Sequence, residues 1–118
     1  MLFLVGLMHS ALGGPQLIAP ILKRGDMPVI LGNVQNSRLT LLIGWHALTL
    51  VFWAQAAVLL AYAYDPALLQ SAVLFSVAVP SGILGLAAVI LSRGRHLSWA
   101  FFLPLAAMTG TMGWTGWV

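Results

Sequence analysis

Residues 40–64 read TLLIGWHALTLVFWAQAAVLLAYAY, an unbroken run with no Asp, Glu, Lys or Arg and a single histidine, His46. At about 1.5 Å of rise per residue, a helix of this length crosses a hydrocarbon core of about 30 Å. The rest of the chain has the same character. Of its 118 residues 61% are hydrophobic and 6% charged, and the mean hydropathy is +1.01. A soluble domain carries roughly 25% charged residues, so the solvent of this surface is lipid. Lipid offers no partner to backbone N–H and C=O groups, which leaves helices as the spanning element here. The sequence predicts an all-α membrane protein, with residues 1–118 forming one transmembrane domain.

Polar breaks divide the chain into four expected spans, at 2–22, 40–64, 67–92 and 96–118. The N-terminal MLFLVGLMHSALGG has no basic n-region and reads as the first span rather than a cleaved signal peptide. In it Gly6, Ser10, Gly13 and Leu17 share one helical face, with His9 beside Ser10. This is a small, faintly polar stripe suited to close helix packing. Gly13-Gly14-Pro15 and Pro20 are breakers. Either the helix continues kinked through Pro15, which membrane helices tolerate, or it ends near Gly14. Residues 23–39, KRGDMPVILGNVQNSRL, read as a loop whose segment 28–31 dips toward the headgroups. Asp65 and Pro66 make a capped turn into the third span. There Ser71, Ala78, Gly82, Gly85 and Ser92 form a small-residue seam, and Pro80 predicts a kink. The fourth span holds Pro104 and the series Ala106, Gly110, Gly113 and Gly116. The expected helix-packing positions are therefore Gly6, Ser10, Gly13, Gly82, Gly85, Gly110 and Gly113.

All five basic residues, Lys23, Arg24, Arg38, Arg93 and Arg95, fall in the two connections after the first and third spans; the other side carries Asp65 and no cation. The positive-inside rule then gives an up-down four-helix bundle with both termini on the non-cytoplasmic side of a membrane, the bacterial inner membrane being the expected one. The same five cations account for the pI of about 10.3 and are placed to meet anionic lipid headgroups, so no nucleic-acid partner is implied. Tyr62, Tyr64, Trp114 and Trp117 are expected in an outer aromatic belt, Trp45 and Trp99 in an inner one.

The absence of cysteine removes disulfides, thiolate metal sites and Cys nucleophiles. His46 is the leading site candidate, because an ionisable group inside a span is expected to have a partner or a task. Thr49 and Trp53 continue its face. Gln55, nine residues on, falls on the opposite face with Gly44. A helix polar on two sides wants protein on both. His9 is the second candidate, yet its expected depth differs from that of His46 by about 10 Å. That disfavours a haem held between the two, and no carboxylate within a span completes a metal site. His96 reads as a polar flank at the cytoplasmic surface. Ser10 has neither a base on its own face nor an acid, so no hydrolytic triad is present. No enzymatic role and no cofactor is required by the sequence.

The arrangement His9-x3-Gly13, a Pro-bearing basic loop, then Trp45-His46 resembles uncharacterised bacterial four-span integral membrane proteins. Those tend to carry an acid after the glycine, where this chain has Gly14. The resemblance covers the first half and implies a four-span membrane fold without an activity. In size and span count the chain also looks like small four-span multidrug exporters, but their first-span glutamate is replaced here by a span with His9 and no acid. Three functions are expected, in order. The first is a structural or accessory subunit packing through small-residue seams, in a homo-oligomer or a larger membrane complex. The second is a small-solute transporter or channel with His46, Gln55 and Thr49 near the path. The third is a haem, pigment or metal protein using His9 or His46.

Overall fold

A computed structural model of the chain describes residues 1–116. Trp117 and Val118, with the belt position expected for Trp117, lie outside the described residues. The described residues are all-helical, apart from a lone bridge between Ile30 and Asn33. There are four long helices: α1 (Leu2–Leu22), α2 (Val34–Tyr64), α3 (Leu69–Ser92, entered through a tight turn at Pro66–Leu68) and α4 (Trp99–Thr115). The first three are long and apolar enough to cross a membrane. At 17 residues, α4 covers roughly 26 Å, a little short of a hydrocarbon core.

α1 runs continuously through Pro15. Between His9 and Ile18 its turns widen, so that the Ala19 N–H bonds the Gly14 carbonyl five residues back. Proline has no N–H and its ring crowds the carbonyl four residues earlier; a wider turn relieves both. The widening also shifts the helical face. Leu17, expected to continue the Gly6–Ser10–Gly13 stripe, is 49% exposed, and Ile18 takes its place at 3%.

α2 begins six residues earlier than the apolar run. Asn33 is its N-cap, with a side-chain oxygen that accepts from the Gln35 N–H at 2.8 Å. Residues 34–39, expected in the loop, are its first turns. The loop that precedes it reverses through Leu31 (φ 51°) and Gly32 (φ 73°) and is tied down by Asn36, whose side-chain amide donates to the Ile30 carbonyl, and by Ser37, which donates to that of Pro28. Asp26 pairs with Arg24 on the exposed rim at 2.6 Å. That guanidinium, and then the local backbone, hold the Asp26 carboxyl below its ordinary range.

Successive helices run antiparallel in an open row. α1 packs on α2, α2 on α3 and α3 on α4, and α1 touches neither α3 nor α4. The molecule measures 51 × 30 × 17 Å, a slab. Its apolar centre is small: Leu39 and Ile43 of α2 meet Leu84 and Ala88 of α3, with Trp99 and Phe102 of α4 against them. Elsewhere large apolar side chains face outward, Phe101 at 77% and Ile90 at 71%, as expected where the solvent is hydrocarbon. The α3–α4 seam is close. A Cβ at Gly85 would stand 2.6 Å from Leu103, and one at Gly113 would stand 3.2 Å from Leu74; Gly82 and Gly110 face Ala106 and Ala78 at 3.7 Å. Ser71 donates across it to the Gly113 carbonyl.

Arg93 (φ 53°) and Gly94 (φ 78°) close α3 in the left-handed region, with the Gly94 N–H on the Val89 carbonyl. His96 then fastens this turn to α2: one ring nitrogen lies 3.0 Å from Thr40 Oγ1 and the other 2.8 Å from Ser98 Oγ. Arg38 Nη2 donates to the Arg24 carbonyl. Both basic connections, with all five cations, therefore sit at one end of the slab, and Tyr62, Tyr64 and Asp65 are at the other.

Candidate functional site

His9, Ser10, His46 and Thr49 converge between α1 and α2. Their convergence rests on two glycine notches. A Cβ at Gly6 would lie 2.7 Å from the Trp53 indole nitrogen, and one at Gly13 would overlap the Trp45 ring. Each tryptophan lies in its notch and donates its N–H to a carbonyl of α1: Trp53 to Phe3 at 3.1 Å, Trp45 to His9 at 3.3 Å. Phe3 stacks on Trp53, and the His9 ring stacks on Trp45 with centroids 4.0 Å apart. Trp45, expected in an interfacial belt, is thus a wedge between helices.

The two histidines are at one depth, not about 10 Å apart. Ser10, adjacent to His9, reaches His46 Nδ1 at 2.7 Å, and His9 Nε2 lies 3.1 Å from the Trp45 carbonyl. The discrepancy is the misplaced start of α2. His46 stands twelve residues in from Val34, and His9 thirteen from Leu22. A carbonyl only accepts, so His9 carries its proton on Nε2, and that nitrogen is occupied by the Trp45 backbone. Among the described residues no cluster of three metal-ligating side chains occurs.

No protein-family profile, curated protein or solved structure matches the chain.

Proton counting fixes the direction of the hydrogen-bond chain at its centre. Ser10 Oγ is 2.7 Å from His46 Nδ1 and 2.6 Å from Thr49 Oγ1, and Thr49 Oγ1 donates to the Gly6 carbonyl at 3.2 Å. Three contacts need three hydrogens, and Gly6 supplies none. Thr49 uses its hydrogen on Gly6, Ser10 must then give its own to Thr49, and His46 must give Nδ1–H to Ser10. The neutral imidazole is therefore the Nδ1–H tautomer, with a lone pair on Nε2. That nitrogen has no partner among the described residues, and it is not sealed in protein. His46 and Ser10 both line two adjoining hollows, one of about 550 Å3 bounded by α1, α2 and α3, the other of about 430 Å3 between α1 and α2.

Of the other predicted path residues, Thr49 joins the site and Gln55 does not. Thr49 is 4% exposed and bonded within the relay. Gln55 is exposed on the far side of α2 and is not brought to His46. Gly44 shares that far face, with nothing within 4 Å of where a Cβ would be. In the sequence Ser10 reads as a packing residue. Its spacing from Gly6 and Gly13 marked the stripe, but nothing in the sequence marked Ser10 as the partner of His46, 36 residues away.

Proposed function

We propose that this chain is a structural or accessory subunit of a membrane assembly, joining a second copy of itself or a larger complex through the uncovered face of α2. The observation that carries the reading is Gln55. It lies well inside a helix long enough to span, exposed, with no hydrogen bond to any described residue. A primary amide facing acyl chains lacks partners for two donors and an acceptor, a cost another helix can remove. Gly44, Leu48, Val51, Gln55 and Leu59 line this face at steps of four, three, four and four, all exposed. This is the spacing at which parallel helices cross shallowly. A two-fold axis along the membrane normal would bring Gln55 against its own copy.

In this reading both termini are on the non-cytoplasmic side of the bacterial inner membrane. Lys23, Arg24, Arg38, Arg93 and Arg95 meet anionic headgroups on the cytoplasmic side, supported by the five-to-none charge bias. A transport path through one copy has less support, since His46 and Thr49 are bonded to α1 and Gln55 points away from both. The test is energy transfer between donor- and acceptor-labelled copies in liposomes. The wild type should associate, and Gln55→Leu should weaken association about three- to tenfold, the equivalent of one interhelical polar contact. Undiminished association of Gln55→Leu would remove the basis of the proposal.

A further inference from the structure

We infer that the lateral groove between α1 and α3 binds an uncharged, membrane-dissolved molecule through a hydroxyl group, such as a quinol, another phenol or a long-chain alcohol, donated to His46 Nε2. This is independent of the assembly proposed above, which uses the opposite face of α2.

Three features specify the ligand. The first is the lone pair. The relay from His46 through Ser10 and Thr49 to the Gly6 carbonyl holds the imidazole as a donor at Nδ1 and an acceptor at Nε2. Nε2 therefore takes a hydrogen-bond donor, and a ketone, ester or carboxylate offers none. The second is depth. His46 is six residues beyond Thr40, roughly 9 Å along the helix and inside the hydrocarbon. A charged head there costs several kcal/mol, so the donor is a neutral hydroxyl rather than an ammonium. The third is shape. The two hollows share Ser10, Leu42 and His46; the larger is otherwise walled by groups such as Leu7, Ile83 and Leu91, the smaller by groups such as Ile18 and Leu22. Because α1 and α3 do not touch, the groove is open to lipid along its side. A tail can enter from the bilayer while the head reaches His46 Nε2, the usual layout of a small-molecule site.

The test uses 15N-histidine-labelled protein in lipid nanodiscs. Without ligand, His46 should show a bare Nε2 and a protonated Nδ1. Adding decyl-hydroquinone under reducing conditions should shift the Nε2 resonance toward the hydrogen-bonded range, saturating at one equivalent, while His9 and His96 stay unchanged. The dimethyl ether of the same hydroquinone has the tail but no hydroxyl and should leave Nε2 unmoved. Hexadecanol separates the sources: a shift like that of the hydroquinone assigns any lipophilic hydroxyl, and no shift restricts the site to phenols. Leu42→Trp fills the junction of the hollows without touching the relay; it should abolish the shift while Nδ1 stays protonated. A protonated Nε2 in the ligand-free protein would overturn the inference. So would an equal response to the ether, a shift unaffected by Leu42→Trp, or no response to either hydroxyl compound.

Discussion

Gly13 has less room than any other glycine in the α1–α2 interface, because the Trp45 ring occupies the place of a side chain. Gly13→Ala must push that indole off His9 and off its bond to the His9 carbonyl. An overpacked interface of this kind costs about 1–3 kcal/mol. Gly82→Ala adds a methyl at an ordinary contact distance, 3.7 Å from Ala106, and should be neutral or slightly stabilising, since alanine is the better helix former. Reversible unfolding in mixed micelles would measure both, and equal losses would mean that the notches carry no weight. Ser10→Ala takes the middle member from the relay and leaves the His46 Nδ1–H and the Thr49 oxygen without their partner. The same assay should show a loss of about 1–2 kcal/mol, and His46 should lose its single tautomer by nitrogen NMR. Little of this could be read in the sequence. The stripe of Gly6, Ser10 and Gly13 was visible by period, but which aromatic ring filled which notch depends on register between two helices, and no local pattern encodes that.

At the scale of the helices, the instructive case is the start of α2. The apolar run begins at Thr40, and hydropathy alone places the helix there. The cap is at Asn33, seven residues earlier, followed by Gln35, Asn36, Ser37 and Arg38, polar residues that a helix carries readily where it leaves the hydrocarbon. Six extra residues are roughly 9 Å, which is the whole of the height difference expected between His9 and His46. Asn33 is a residue type that caps helices, but the polar residues after it read as loop in the sequence. Asn33→Ala should cost about 1 kcal/mol and Asn33→Ser much less, with the change in amide exchange concentrated in residues 34–38. Uniform loss of protection along α2 would contradict the assignment of the cap. Pro15 is the converse lesson. A breaker in sequence became a widened turn in a continuous helix, and the shift from Leu17 to Ile18 follows from hydrogen-bond spacing that residue type alone does not announce.

On the scale of the whole molecule, composition was sufficient for the class: an all-helical chain with three helices long and apolar enough to span. The arrangement of those helices was not legible, because nearly every face is apolar and lipid accepts any of them. The open row that results leaves α2 covered by α1 on the His46 side and bare on the Gln55 side. A row one helix thick buries little against itself, and association is the physical remedy for a polar group left on its surface. The orientation has its own check. A reporter fused after Val118 should be active on the non-cytoplasmic side only, and cytoplasmic activity would reverse the placement of the basic connections.

The chain contains no cysteine, so the assembly through α2 can be tested by single-cysteine crosslinking in native membranes. Leu48→Cys and Gln55→Cys lie on the bare face of α2, and Ile90→Cys and Met108→Cys are exposed elsewhere. Crosslinks at Leu48 and Gln55, to a second copy or to a defined partner, with none at Ile90 or Met108, are the predicted result. Crosslinks confined to Ile90 or Met108, or absent at all four positions, would contradict it.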